Sequence, residues 1–515
     1  MNQSTFAVSS SFLGEDSMGQ NCFRASKTKK LAFHPLSRGI ARFFLAVAGM
    51  ITSIYAEPPP AAIIGGETIL GPQPYAALVS LLGNLNVLPS LPSPGIINSV
   101  DMNLYGTSII GGGGSVAPFG AFISPSGNIV SFSSSLPSAG FIGSVAINAS
   151  GFAIIGGGSG FDPYAALVSP TGNVTPLSSL PPPDGQITSV AINSSGLGII
   201  GGNGDNGSAY AAVVSPTGQV VTPLFSPLPV GGITSVAINS SGTAIIGGEI
   251  GGVYAAIVSP LGAVTQIQNL PSLGIVRSVA INDAGMIIIG GESGGDPIAA
   301  LISPSGDVLF LQNLPSLTGI LSVAINASGN AIIGGSTGSN PFVAFVSSSG
   351  AVTPIENLPF PGLISSVAIN SFGDAIIGGG VNTNVYAAFI SSSGEVTPLG
   401  PLPSTGFLTS VAIQEAIPIP PTPTTIQPPR NLSGTQKKND FGVEFELFNL
   451  LRWSASPSKG IQGYYVYREG AKIATLKPNV LQYEDHNRKK GVATHYSVTA
   501  FFSDFESAPV NVTVQ

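Results

Sequence analysis

The stretch Ser235-Val236-Ala237-Ile238-Asn239-Ser240-Ser241-Gly242-Thr243-Ala244-Ile245-Ile246-Gly247-Gly248 joins two short β-rich runs through a Gly-containing turn. It recurs along the whole middle of the chain. The valines of its first half stand at Val100, Val145, Val190, Val236, Val279, Val323, Val367 and Val411, with successive spacings of 45, 45, 46, 43, 44, 44 and 44 residues. The second half, Ile-Ile-Gly-Gly, begins at Ile63, Ile109, Ile154, Ile199, Ile245, Ile288, Ile332 and Ile376. Each half occurs eight times, but the two series are offset. The first Ile-Ile-Gly-Gly has no partner before it, and the last Ser-Val-Ala-Ile has none after it. An array whose broken ends complement each other is what closing a ring requires.

One repeat, 144–181, shows the unit. Ser144-Val145-Ala146-Ile147-Asn148 is a first β-rich run, and Ala149-Ser150-Gly151 supplies a turn where Gly accepts positive φ. Ala153-Ile154-Ile155-Gly156-Gly157 is the second run. A variable Gly/Ser/Asp loop leads to Tyr164-Ala165-Ala166-Leu167-Val168-Ser169, a Pro170-Thr171-Gly172 turn and Val174-Thr175-Pro176-Leu177, and Leu180-Pro181 closes the unit. Four short strands joined by tight turns, repeated at about 44 residues, predict a β-propeller blade. Proline removes a ladder donor, so Val-Thr-Pro-Leu belongs on an outer edge. The paired alanines allow close packing between sheets, and the near-continuous apolar runs fit strands covered on both faces.

The chain enters the array at Ile63 with strands two, three and four of one blade. It leaves at Ser410-Val411-Ala412-Ile413, strand one of the same blade. The expectation is an all-β, eight-bladed propeller over 57–414, closed by a terminal-strand clasp that removes an exposed edge. Asn148, Asn193, Asn239, Asn282, Asn326 and Asn370 enter the first turn, where Asn side chains bond nearby backbone. The Gly-Gly pairs are expected to begin loops. Gly111-Gly112-Gly113-Gly114 is no phosphate loop, because no Gly-Lys-Ser/Thr follows and no helix is predicted.

This hairpin type, as at 235–248, resembles the extracellular HAF-type repeat proteins and more loosely WD-repeat and other bacterial surface propellers. The Trp-Asp dipeptide of WD repeats is missing, so a WD-type partner is not implied.

The chain has 515 residues, of which only 8% are charged and 43% apolar, with 67 Gly and 43 Pro. Short regular apolar runs set it apart from a disordered chain of that composition. Residues 57–420 carry fifteen Asp and Glu against a single base, Arg277, leaving about −14, whereas 421–515 carry eleven Lys and Arg against eight acids, about +3. An acidic ring repels phosphate backbones, so no nucleic-acid partner is expected. The only cysteine is Cys22, and histidine is limited to His34, His486 and His495. That inventory excludes a zinc site or a His-dependent triad in the repeats, and no cofactor is expected.

Residues 24–42 hold Arg24, Lys27, Lys29, Lys30, Arg38 and Arg42, and the apolar run 43–51 follows before Glu57-Pro58-Pro59-Pro60. A basic flank, a short apolar run and a small residue before prolines predict a signal peptide within a 1–56 leader, cleaved after Ala56. A retained anchor is the alternative, although the run is shorter than the roughly 20 residues that span a bilayer. Met18 is an alternative start. Gly, Pro and Ser interrupt every other apolar run, so no membrane span is expected after signal removal. The expected location is secreted or at the cell surface.

Residues 415–428 are Pro-rich and expected to be an extended linker. Beyond it, Pro429-Arg430-Asn431-Leu432, Leu450-Leu451-Arg452-Trp453, Ile461-Gln462-Gly463-Tyr464-Tyr465-Val466-Tyr467-Arg468, Tyr483-Glu484-Asp485, Tyr496-Ser497-Val498-Thr499-Ala500 and Ser507-Ala508-Pro509-Val510 resemble a fibronectin type III domain over 429–515. The resemblance implies a seven-stranded sandwich with Trp453 and Tyr496 as core elements, and an interaction or spacer role. No Arg-Gly-Asp triplet occurs.

Acids concentrate at Asp283, Glu292, Asp296 and Asp307 beside Arg277, and Glu249 follows its Gly-Gly as Glu292 does. The pattern shows neither the paired carboxylates of a glycosidase nor the oxygen-rich loop of a calcium site, so they read as solvated loop charge. Asn-x-Ser/Thr sequons occur at Asn148, Asn173, Asn193, Asn206, Asn239, Asn326, Asn431 and Asn511. Near-identical repeats without a catalytic set point to a non-enzymatic protein that binds a protein or carbohydrate ligand through loops at one face. Two alternatives stay open: a carbohydrate-active enzyme with a fibronectin-type accessory domain, and a structural β-solenoid.

Overall fold

In the computed structural model, residues 59–515 are described except 69–72, 93–94, 114–116, 181–183, 205–206, 225–228, 317, 360, 382, 416–425, 443, 459–460 and 503–504. The expected leader with its cleavage site, Cys22, His34, Gly114, Pro181, Asn206 and most of the expected linker lie outside the described residues.

Among the described residues, the repeats build eight four-stranded antiparallel sheets. One runs from Gly232–Ile238 through Ala244–Glu249 and Val253–Val258 to Val264–Gln266. The Pro-containing run is the short outermost strand wherever it occurs, as at Val174–Pro176, which spares the ladder a missing donor. The strands at the other edge are Ile96–Met102, Phe141–Ile147, Gln186–Ile192, Gly232–Ile238, Ile275–Ile281, Thr318–Ile325, Gly362–Ile369 and Phe407–Ile413. Each packs against its counterpart in the next sheet, and the series returns from Phe407–Ile413 to Ile96–Met102. The closing sheet takes strands from both ends of the array. Ala62–Thr68 pairs on one side with Gln73–Val79 and on the other with Phe407–Ile413, with Ile63 opposite Ala412 and Ile64 opposite Val411.

The core is divided into slabs between neighbouring sheets. In one, Ile199, Ala209, Ala211 and Val213 face Ile233, Val236, Ala244, Ile246 and Tyr254 of the next sheet. The closing sheet is covered on both faces. Ile64, Tyr75, Leu408 and Val411 pack on Ile376 and Phe389, while Ile63, Leu78 and Ala412 pack on Ile97, Val100 and Ile110.

The Gly-Gly pairs do not begin loops, as the sequence reading expected; they lie inside the second strand of each sheet. Each inner strand carries a β-bulge, at Thr234 in Gly232–Ile238, where Ile233 faces Gly248 and Ser235 faces Gly247. The extra residue lets Ile233 and Val236 both turn toward the preceding sheet, where they are 1% and 6% exposed. They press onto Gly201 of that sheet, where a Cβ would stand 2.5 Å from Ile233 Cγ2 and 2.7 Å from Val236 Cγ1. The second glycine, Gly202, faces its own inner strand, where a Cβ would fall on the Gln186 carbonyl oxygen. One glycine admits the neighbouring sheet and the other admits the bulge.

The C-terminal region forms two packed antiparallel sheets. One comprises Arg430–Asp440, Phe445–Ser454 and Gln482–Asp485. The other comprises Ala471–Leu476, Gly463–Arg468, Thr494–Phe502, Phe505–Glu506 and Val510–Val514. Trp453, Tyr464, Tyr496 and Val498 fill the space between them, with the Trp453 and Tyr464 rings edge-on at 5.6 Å. Among the described residues, no helix is long and apolar enough to cross a membrane.

Candidate functional site: the belts and rim of the ring

The inner strands are one sheet apart and cannot pair by main-chain ladders, so side chains must join them. The serine of each Ser-Val does so. Ser99, Ser144, Ser189, Ser235, Ser278, Ser322 and Ser366 accept, through Oγ, the N–H of the valine in the following repeat at 3.0–3.2 Å. Ser410 accepts the Val100 N–H at 3.1 Å and completes the circuit. A net contribution of about 1 kcal/mol per bond makes this belt a substantial part of what holds neighbouring sheets in register. The sequence reading did not single out these serines.

The asparagines form a second belt at the turn end of the same strands. Their Oδ1 atoms accept N–H groups of their own turn, as Asn239 does from Thr243 at 3.0 Å. That is the role expected from sequence. Their Nδ2 groups also reach the next repeat: Asn148 donates to Asn193 O at 3.2 Å, Asn239 to Asn282 O at 3.3 Å and Asn326 to Asn370 O at 3.2 Å. Asn103, missed by the sequence reading, donates to Asn148 O at 3.3 Å. Gln414 takes this place in the last copy and donates to Leu104 O at 2.8 Å, and its buried Oε1 finds no partner among the described residues. Four of the sequons, Asn148, Asn193, Asn239 and Asn326, are therefore buried and fully engaged, whereas Asn173, Asn431 and Asn511 are exposed.

Three departures of the ring from its repeat are acidic. Asp101 stands where the other copies have alanine, as at Ala146 and Ala412. It keeps a little surface toward water, yet its carboxylate is deeply desolvated. Oδ1 accepts the Met102 N–H and Oδ2 the Ile147 N–H, both at 2.8 Å. Burial outweighs these two bonds and pushes its pKa up to about 6. Glu415, directly after Gln414, is exposed as a residue. Desolvation of its carboxyl, then the charges of Asp101 and Asp283, raise its pKa above the ordinary carboxylate value. Asp283, directly after Asn282, accepts the Ser240 N–H at 2.9 Å. These three carboxyls gather at the turn-end rim of the inner strands.

The acidic cluster seen in sequence does not stay together. Antiparallel topology puts Asp283 and Asp307 at the turn end and Glu249, Glu292 and Asp296 at the opposite end of their strands. Glu292 pairs with Arg277, and Asp307 accepts the Ser305 hydroxyl at 2.6 Å. Among the described residues, no group of three His, Cys, Asp or Glu is placed to hold a metal. In the C-terminal sandwich, Asp485 accepts the Tyr496 hydroxyl at 2.6 Å and pairs with Arg468 at 2.9 Å, and Tyr496 also accepts Asn449 Nδ2 at 3.0 Å. This buried network closes the core, consistent with a structural part for Tyr496.

No protein-family model and no curated protein matches the chain. Solved structures similar in fold are β-propeller-like proteins. Virginiamycin B lyase from Staphylococcus aureus is 12% identical, with a TM-score of 0.41, covering 50% of this chain and 82% of its own. YCF48 from Cyanidioschyzon merolae is 13% identical, with a TM-score of 0.41, covering 62% and 96%. A protein from Lactobacillus plantarum is 11% identical, with a TM-score of 0.44, covering 69% and 99%.

Proposed function

We propose that this protein is a secreted or cell-surface, non-enzymatic scaffold. In this reading an eight-bladed propeller, closed by its terminal strands, binds a protein or glycan through its loops, and a fibronectin type III module follows a Pro-rich linker. The observation that carries it is the fate of the recurring polar residues. The serine of every repeat, and the asparagine or the Gln414 that takes its place, help to join neighbouring sheets, which leaves the loops and the rim as the parts free to recognise a ligand. Glycan and protein array profiling of residues 57–515 tests it: saturable binding without turnover supports it, and turnover of any polysaccharide overturns it.

One observation favours a second reading, a carbohydrate-active enzyme. Asp101 and Glu415 are acids with raised pKa on one rim, the kind of pair from which a general acid and a base are drawn. That reading requires a turnover that Asp101→Ala abolishes.

A further inference from the structure

The turn between the third and fourth strands is nearly the same in every sheet, Ser-Pro-x-Gly or Ser-Ser-Ser-Gly, and its two central residues are exposed in seven of the eight sheets. The closing sheet differs. There the turn reads Ser80-Leu81-Leu82-Gly83, and both leucines are sheltered. Leu81 folds onto the ring's own core beside Leu399. Leu82 occupies the same place as Leu261, which is 87% exposed in its own sheet, so a leucine here is not sheltered by the turn itself.

The C-terminal sandwich reaches this turn at the Leu82 main chain. Gln462 Nε2 donates to the Leu82 carbonyl at 3.1 Å and approaches Asn84 Oδ1 at 3.3 Å. Its own main-chain N–H is fixed to Phe501 O at 2.8 Å, so the contact starts from the edge of a sheet. Charge favours the union, since the ring is strongly acidic and residues 421–515 are net basic.

We infer that the sandwich is a lock on the ring rather than a freely tethered module. It follows the innermost strand of the closing sheet, Phe407–Ile413, and returns to seat on the turn that precedes that sheet's outermost strand, Leu85–Val87. It therefore spans the one sheet built from both ends of the array. In this arrangement ring closure and sandwich docking stabilise each other.

The full chain carries its own reporters. Trp453 is the only tryptophan and lies in the sandwich core, whereas far-ultraviolet circular dichroism follows mainly the strands of the ring. In the unmodified chain the two thermal transitions should coincide. In Leu82→Asp and in Gln462→Ala the Trp453 transition should fall below the other by roughly 4–8 °C, the shift expected when a domain of this size loses a modest stabilising contact. Leu261→Asp, at the matching turn, should leave both transitions together. Transitions that are already separate in the unmodified chain, or that stay coincident in both docking variants, would overturn the lock, as would a separation produced equally by Leu261→Asp. Gln462→Ala carries the test alone if Leu82→Asp does not fold.

Discussion

Replacing Gly248 by alanine should destabilise the ring far more than replacing Gly247, although the two are adjacent and both buried. At 247 the added methyl meets Val279 Cγ1 at 2.6 Å and Val276 Cγ1 at 2.7 Å, both side-chain tips of the next sheet. Such tips can shift, and overpacking of this kind costs about 1–3 kcal/mol. At 248 the methyl lands on the Gly232 carbonyl oxygen, with Ile233 Cα only 2.9 Å away. Both are main-chain atoms of the bulged inner strand. Relief there means opening the bulge, which withdraws Ile233 and Val236 from the preceding sheet, so the cost should exceed the roughly 3 kcal/mol upper end of ordinary overpacking. Guanidinium unfolding measures both as midpoint shifts at constant slope. A second arm separates the causes. Val279→Ala should partly rescue Gly247→Ala, with a favourable coupling of about 0.5–3 kcal/mol, and should do nothing for Gly248→Ala. Equal costs at the two glycines, or rescue of Gly248→Ala by Val279→Ala, would refute this reading of the pair.

Tyr75 and Tyr386 bury hydroxyls that find no partner among the described residues, and burial pushes their pKa up to about 12. Phe119 and Phe342 hold the same place in their sheets, each opposite the second glycine. Tyr75→Phe and Tyr386→Phe should therefore leave stability unchanged or raise it by about 1 kcal/mol, and a loss of that size would contradict the packing described. Asn239→Ala removes an acceptor for Thr243 and a donor to Asn282 O and should cost about 1–3 kcal/mol, whereas Asn173→Ala, at an exposed turn, should stay within about 0.5 kcal/mol; both are read as midpoint shifts. The raised pKa of Asp101 fixes a sign. The folded state holds the proton to a higher pH than the unfolded chain, so this group's contribution falls as pH rises from about 4 to about 6 and is constant above. Comparing Asp101→Ala with the unmodified chain across that window, the variant's relative stability should grow with pH by on the order of 3 kcal/mol, at roughly 1.4 kcal/mol per unit of pKa shift. No growth would mean that Asp101 is not desolvated.

Strand order within a repeat was legible because its signals are local: β-rich runs, a Gly turn after each asparagine, a proline marking the outer strand. The pairing of Ile63 and Ile64 with strand Phe407–Ile413 followed from the phase of the two repeated strings. The Gly-Gly pairs misled because the atoms that forbid a Cβ belong to the next sheet and to a bulge, and neither leaves a local trace. The serine belt had a signal that went unread. Ser99 through Ser410 never vary, while the bulge residue just before them ranges over Asn98, Gly143, Thr234, Arg277 and Leu321. A side chain fixed beside one so free is held by something outside its own strand. Acidic residues show the opposite failure. Asp283, Glu292, Asp296 and Asp307 are close in sequence but are split between two ends of their strands, whereas Asp101 raises the pKa of Glu415, from the opposite end of the array, because the ring brings its ends together.

Native-state hydrogen exchange of the closing sheet tests closure most directly. If the ring is closed, the laddered amides of Ala62–Thr68 and Phe407–Ile413 should be protected to within about tenfold of those in Ala244–Glu249 and Gly232–Ile238, since all open only with the cooperative unit. Exchange of Ala62–Thr68 and Phe407–Ile413 at the rates of frayed chain ends, with the internal sheets still protected, would contradict a closed ring.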